Sequence, residues 1–156
     1  MPIAVTHTVS SCLGFPLFDA IALVPVATSS LMQAAWIQAA LPPSERVGIV
    51  TVCGSTLTQA HLDAAGVPPG TPFVGTESGR EFFRVLIKAE KQEMDVALAR
   101  QDIIEAGRAL VASHPEVGAI VLECTNLPPY KQAVQRALGL LVHDVLDLLK
   151  GFHARL

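Results

Sequence analysis

The chain has 156 residues, of which 51% are hydrophobic and 16% are charged. A chain of this length can bury one substantial core or form two small lobes that share one. Its net charge of −3 and its pI near 5.9 provide no basic field for nucleic acid. No apolar run approaches the roughly 20 residues that cross a bilayer, and the N-terminus lacks a signal-peptide pattern. We therefore expect a cytoplasmic protein without nucleic-acid or membrane partners.

Short apolar runs alternate with helical patterns along the chain. The predicted strands are 3–9, 24–27, 47–52, 117–122 and 140–142, with a brief extended segment at 73–74. The predicted helices are 13–22, 30–41, 58–66, 78–89, 94–112, 129–138 and 145–152. This alternation is typical of parallel β-α units with right-handed crossovers, so the predicted fold class is α/β.

The three cysteines, Cys12, Cys53 and Cys124, are far apart and form no C-x-x-C pair. Their spacing indicates neither a zinc ribbon nor a disulfide framework, so we predict free thiols and no metal site. A free cysteine is most often a small buried hydrophobic residue. A reactive role for any of the three cysteines must therefore be argued from the residues around it.

Cys124 has the most suggestive surroundings. It follows the buried strand pattern at 119–122, and Thr125 and Asn126 are candidate caps for a helix that the prolines at 128–129 are suited to start. Strand ends of this kind form the ligand-facing edge of an open α/β sheet. The positive end of the helix would favour a thiolate over a thiol.

Cys12 repeats this placement, because it follows the first strand and the candidate caps Ser10 and Ser11. Cys53 also lies near a strand end, and the N–H groups of its turn, 53–56, could contact an anion. A buried structural role is the favoured interpretation of Cys53. Two strand-end thiols that flank a chiral carbon could invert it, one as base and one as acid, without a cofactor.

Four segments carry a resemblance to a known family. They are Glu123-Cys124-Thr125-Asn126-Leu127-Pro128-Pro129-Tyr130, Ser10-Ser11-Cys12-Leu13-Gly14-Phe15, Val24 to Leu31, and Arg46 to Thr51. In this order they resemble the aspartate/glutamate racemase superfamily, which includes hydantoin racemases and maleate isomerases. The resemblance covers essentially the whole chain.

The resemblance implies a pyridoxal-phosphate-independent racemase or isomerase with no cofactor, acting on aspartate, glutamate, a hydantoin or a similar small carboxylate. Cys12 and Cys124 would be its opposed acid and base. The residues that would bind the substrate are Ser11, Thr28, Ser29, Thr125 and Asn126. Each of these five is equally well explained as a helix cap.

The same resemblance implies two pseudosymmetric lobes with the site between them. Residues 1–27 would be the remainder of the first lobe, 28–124 the second lobe, and 125–156 a C-terminal segment that returns to the first. The opening part of the first lobe is expected to be absent, which would expose a sheet edge and favour a homo-oligomer.

Other interpretations remain open. The chain could be a catalytically silent relative that binds a small anion or acts as an assembly partner. Cys12 and Cys124 could be a redox-sensing pair if their Cα atoms lie within about 7 Å. Glu123 could hold a substrate ammonium group, but an acid in contact with solvent is favoured. His143 could be an acid–base partner, but a structural role is favoured, and Asp144 could cap the last helix.

Overall fold

In the computed structural model, the described residues are 4–5 and 26–154. The strands are β1 Ala4–Val5, β2 Val26–Ala27, β3 Arg46–Val50, β4 Phe73–Val74, β5 Val117–Leu122 and β6 Leu141–His143. The α-helices are α1 Ala34–Ala40, α2 Gln59–Ala64, α3 Phe82–Leu86, α4 Val96–Ser113, α5 Lys131–Leu138 and α6 Val145–His153. In this described part of the chain, 3₁₀ turns cover Ser30–Gln33, Gly54–Thr56 and Pro128–Tyr130.

Four of the strands form one parallel sheet in the order β4-β3-β5-β6. β1 and β2 pair in parallel as a separate two-stranded sheet. The predicted α/β class is confirmed. In the larger sheet Val50 is aligned with Leu122, so β3 and β5 end side by side.

β5 is buried on both faces, as its apolar run predicts. Ala119 and Val121 pack into a cluster with α1 and α2, whereas Ile120 and Leu122 pack into a cluster with α4 and α5. All four side chains have no exposed surface. A strand between two helical layers needs apolar residues at every position, which is why the run does not alternate with polar residues.

Several predicted helix ends are confirmed by their caps. The Ser29 hydroxyl accepts the Leu31 N–H. Thr58 and Asp144 form capping boxes at the starts of α2 and α6. Gly139 ends α5 with a φ of 69°, a left-handed conformation that glycine adopts without strain.

One helix is much shorter than predicted: the pattern over 78–89 yields only α3, Phe82–Leu86. The buried Asp102 carboxylate on α4 accepts the N–H groups of residues 80–82 at 2.6–3.0 Å. These bonds hold the backbone against α4 and use the amide groups at the helix start. A partner some 20 residues away in sequence thus sets where α3 begins.

The segment after Cys124 contacts both sheets. β6 joins the four-stranded sheet beside β5, and α6 contacts β2 and the 3₁₀ turn Ser30–Gln33. The predicted lobe boundaries stay a prediction. No helix within the described residues is both long enough and apolar enough to cross a membrane.

We expect Ile120→Ala to lower the free energy of unfolding by about 2–5 kcal/mol, because it removes a fully buried side chain from the central strand. Leu141→Ala on the neighbouring strand is the matched control, since Leu141 is 61% exposed. Its effect should stay within about 0.5 kcal/mol. Urea denaturation of both variants measures the difference, and equal losses would contradict the described burial.

Candidate functional site

The candidate site lies where β3 and β5 end. The register that aligns Val50 with Leu122 places the next residues, Thr51 and Glu123, beside each other. The Glu123 N–H donates to the Val50 carbonyl at 2.9 Å, so the pairing continues one residue beyond the strand. Cys124 follows at the carboxyl edge of the sheet, the edge at which open α/β folds bind ligands.

The Cys124 thiol receives two donors from Asn126. The backbone N–H of Asn126 lies 3.5 Å from Sγ, and its side-chain Nδ2 lies 3.8 Å from the same atom. The Leu127 N–H donates to the Cys124 carbonyl at 3.0 Å and closes the turn. Both the backbone and the side-chain N–H groups of Asn126 are therefore directed at the sulfur atom of Cys124.

The prediction that Thr125 or Asn126 caps the following helix is wrong. A 3₁₀ turn begins at Pro128 with Leu127 at its N-cap, and no side chain makes a capping bond there. Thr125 is partly exposed and Asn126 is exposed beside the thiol. Both remain near Cys124, as their predicted role in binding a substrate requires, but that role stays a prediction.

The prediction that the surroundings favour the Cys124 thiolate is also wrong in direction. Burial raises the pKa of Cys124 above its ordinary value. The Asn126 N–H groups oppose this effect, and the negative charge of Glu123 adds to it. Burial prevails because it removes water that would solvate the anion, whereas the N–H contacts are long.

Glu123 is buried, contrary to the favoured interpretation of an acid in contact with solvent. It is 5% exposed, and its Oε2 accepts a hydrogen bond from the Thr51 hydroxyl at 2.9 Å. Burial raises the pKa of Glu123, and the Thr51 bond offsets part of that increase. A carboxyl group is thus held inside the protein next to the candidate reactive thiol.

Ser30 ties a second segment to this strand end. Its hydroxyl oxygen lies 2.8 Å from the Leu122 carbonyl and 2.9 Å from the Glu123 carbonyl. The contact brings Thr28 and Ser29 towards the end of β5. Ser29 is a helix cap, and the Thr28 hydroxyl lies 3.6 Å from the Met32 sulfur. Substrate binding by Thr28 and Ser29 stays a prediction.

Ser11 and Cys12 lie outside the described residues. The opposed pair of Cys12 and Cys124, and the alternative redox-sensing pair, therefore stay predictions. Cys53 and Cys124 are free thiols.

Cys53 has the structural role that its sequence context favours. It is 6% exposed, packs into the core cluster beside α4, and lies 3.2 Å from the Ser55 hydroxyl. In the following turn, the Ser55 N–H donates to the Glu77 carboxylate at 3.0 Å. A carboxylate of the protein itself thus occupies the position that was predicted for an anionic ligand.

His143 is held by neighbouring side chains at the end of β6. Its ring packs edge-on against Trp36, with centroids 5.4 Å apart, and its Nδ1 lies 4.0 Å from an Asp147 carboxylate oxygen. Burial lowers the pKa of His143. Asp144 caps α6, and Gln33 donates to its carbonyl at 2.8 Å. These contacts agree with the structural interpretation of His143.

No cluster of three or more metal-ligating side chains occurs within residues 4–5 and 26–154. Sequence reasoning missed Thr51 and Ser30, the two hydroxyls that hold the strand end. A signal for Thr51 was present, because Thr51 and Glu123 each follow a buried apolar run. If the ends of the apolar runs 47–50 and 119–122 are aligned, Thr51 and Glu123 become neighbours.

The sequence is similar to several curated dimethylsulfoniopropionate lyases. It is 29% identical over 139 residues to dimethylsulfoniopropionate lyase 5 of Emiliania huxleyi (strain CCMP1516), covering 84% of this chain and 27% of that protein. It is 30% identical over 142 residues to lyase 7 of the same strain, covering 85% and 41%. For the lyase of Durusdinium sp. clade D the identity is 28% over 129 residues, covering 78% and 42%. No family model matches the chain.

This chain thus spans about a quarter to two fifths of the length of the lyases it matches. Its fold is similar to that of the glutamate racemase isoform RacE1 from Bacillus anthracis, with a TM-score of 0.62 and 12% sequence identity. That match covers 98% of this chain and 58% of the racemase. At such low identity the likeness concerns the fold alone, and it supports the racemase-like architecture that the sequence predicts.

The predicted amino-acid racemase or isomerase function is contradicted by these relatives. Their names are those of lyases, which break a bond in dimethylsulfoniopropionate, and none is named a racemase. The relatives and the structural neighbour are all enzymes, which supports an enzyme-like chain. The motif around Cys124 therefore indicated the architecture correctly and the reaction incorrectly.

We expect Glu123→Gln to change how stability depends on pH. Because the pKa of Glu123 is raised in the folded state, the folded protein binds more protons than the unfolded chain above the unfolded pKa. The stability that this group contributes is thus full below the unfolded pKa and is lost as pH rises through the folded pKa. The glutamine of the variant does not titrate, so the variant does not lose this stability as pH rises.

Urea denaturation of both proteins at several pH values from 4 to 9 measures this dependence. The stability of Glu123→Gln relative to the unsubstituted chain should increase as pH rises. A difference that is constant with pH, or that falls with rising pH, would contradict the buried carboxyl.

Proposed function

We propose that this chain acts in the cleavage of dimethylsulfoniopropionate, with Cys124 as the base that removes the proton. The observation that carries this proposal is the similarity, over 78–85% of the chain, to proteins named for that activity. Because those proteins are much longer, the proposal concerns the part of the reaction that Cys124 performs.

The chemistry follows from the substrate's name. Dimethylsulfoniopropionate is a propionate whose third carbon carries a positively charged dimethylsulfonium group. A base removes a proton from the second carbon, next to the carboxylate. The C–H electron pair forms the new C=C bond while the C–S pair leaves with sulfur. The products are acrylate and dimethyl sulfide, and the proton remains on the base.

The surroundings of Cys124 suit a base of this kind. The thiol is partly exposed at the ligand-facing edge, and two N–H groups of Asn126 can stabilise its anion. Burial raises the pKa of the Cys124 thiol, so the thiolate that acts as the base forms at higher pH than it would in water. An elimination needs one base at the α-carbon, whereas inversion of a chiral centre needs two opposed groups.

The other residues predicted to contact the substrate have the same roles in this proposal. Thr28, Ser29, Thr125 and Ser11 would donate to the substrate carboxylate, and Cys12 would lie across the site from Cys124. The small carboxylate-bearing substrate that the sequence predicts is retained, since dimethylsulfoniopropionate is one. What changes is the bond that breaks after the proton is removed.

We expect Cys124→Ala to lower kcat/KM for dimethyl sulfide release by at least about 100-fold, because removal of a general base typically costs two to four orders of magnitude. The measurement is gas chromatography of the headspace above purified protein and dimethylsulfoniopropionate.

The matched control is Cys53→Ala, which removes a thiol that packs in the core. This variant should keep its activity within a few-fold, with thermal denaturation confirming that both variants are folded. Retained activity in folded Cys124→Ala would contradict the assigned base, and absence of release by the unsubstituted chain would contradict the proposed substrate.

A further inference from the structure

The turn after β5 directs two N–H donors of one residue, Asn126, at one atom, the sulfur of Cys124. The backbone N–H of Asn126 lies 3.5 Å from Sγ, and the side-chain Nδ2 lies 3.8 Å from it. Contacts to sulfur are longer than contacts to oxygen because the sulfur atom is larger. Within the described part of the chain, both hydrogen bonds that the structure gives this sulfur come from Asn126.

The backbone of Asn126 is held in place without help from its side chain. The next residue, Leu127, donates its N–H to the Cys124 carbonyl at 3.0 Å and accepts the Tyr130 N–H at 2.9 Å. Leu127 has no exposed surface, so it anchors the turn in the core. The side chain of Asn126 itself is exposed. A substitution at position 126 therefore removes Nδ2 and leaves the backbone N–H where it is.

Asn126 also takes the place of the helix end that the sequence predicted to serve the thiol. The Leu127 N–H is already used by the Cys124 carbonyl, and Pro128 and Pro129 have no N–H to offer. The 3₁₀ turn that begins at Pro128 has no side-chain cap. The segment that follows Cys124 thus supplies its donors to the sulfur through Asn126.

The buried titratable groups around the cluster against which Cys124 packs have partners of their own. These groups are Cys53, Glu81, Asp102, Glu123 and Tyr130. Their respective partners are the Ser55 hydroxyl, the Lys91 ammonium group, the N–H groups of residues 80–82, the Thr51 hydroxyl and the Met94 sulfur. Direct contact with the thiol is therefore left to Asn126.

We propose that Asn126 is a positioning residue for Cys124, whose backbone and side-chain N–H groups hold the sulfur at the sheet edge and stabilise its thiolate. A hydrogen bond donated to an anion favours the charged form, so it increases the fraction of thiol that is ready to act as a base near neutral pH. This role differs from the substrate contact predicted for Asn126. Its benefit rests on the proposed function, but its effect on the thiol can be measured without any substrate.

The test is the rate at which iodoacetamide alkylates Cys124 between pH 6 and pH 10, measured by mass spectrometry of the peptide that contains it. Only the thiolate reacts, so the rate below the thiol's own titration reports the thiolate fraction. In Asn126→Ala, alkylation at pH 8 should be about three- to tenfold slower, which corresponds to a change of about half to one pH unit.

A second variant separates donation of a hydrogen bond from the shape of the side chain. Asn126→Asp keeps almost the same shape but replaces the donor with a carboxylate, which opposes a second negative charge nearby. Its alkylation at pH 8 should be slower than that of Asn126→Ala. If Asn126→Asp reacts as fast as the unsubstituted chain, the proposal is overturned, and this holds even if Asn126→Ala does not fold.

The matched control is Gln132→Ala, which removes another exposed side-chain amide, six residues further on in α5. This variant should be alkylated at the rate of the unsubstituted chain, with thermal denaturation confirming that each variant is folded. Equal rates in folded Asn126→Ala and the unsubstituted chain, or an equal slowing in the control, would also overturn the proposal.

The lyase reaction separates this proposal from the previous one. If the chain releases dimethyl sulfide, Asn126→Ala should lower kcat at pH 8 by about the factor found for alkylation, while KM stays within about twofold. A raised KM with unchanged kcat and unchanged alkylation would place Asn126 on the substrate and overturn the proposal. If no form of the chain releases dimethyl sulfide, the alkylation rates still decide the role of Asn126.

Discussion

The pairing of β3 with β5 is the constraint on which the rest of the structure depends. Their parallel register aligns Val50 with Leu122 and lets the two strands end together. Three features of the candidate site depend on that shared end: the Thr51 hydroxyl donates to Glu123, the Ser30 hydroxyl lies beside the carbonyls of Leu122 and Glu123, and Cys124 follows the end of β5. The apolar residues that bury β5 therefore also position its chemistry.

Much of this arrangement could be predicted from local sequence, because it depends on local rules. The apolar run before Cys124 predicts a doubly covered strand, Gly139 predicts a left-handed helix end, and Asp144 predicts a cap. The parts that could not be predicted depend on distant partners. Asp102 decides where α3 begins, and Thr51 decides that Glu123 is buried. The reversed expectation for the Cys124 thiol has the same origin, since burial by distant residues exceeds the effect of the nearby N–H groups.

The incorrect prediction of the reaction has a chemical reason. Racemisation and elimination both begin when a base removes a proton next to a carboxylate, so both favour a thiol at a strand end with N–H donors around it. The residues near Cys124 can indicate this first step. Which bond breaks next depends on whether the substrate carries a leaving group. The names of the lyase relatives indicate such a substrate for those proteins, and no residue near Cys124 indicates it in this sequence. The racemase-like fold is compatible with either outcome.

The Cys124 thiolate is proposed to start an elimination from dimethylsulfoniopropionate. The most direct test of this claim follows the reaction by proton NMR with purified chain, before and after alkylation of Cys124 that is quantified by peptide mass. We expect acrylate and dimethyl sulfide to appear in equal amounts, and their formation to fall in proportion to the alkylated fraction. Dimethylsulfoniopropionate that stays intact, or cleavage that continues after Cys124 is fully alkylated, would contradict the claim.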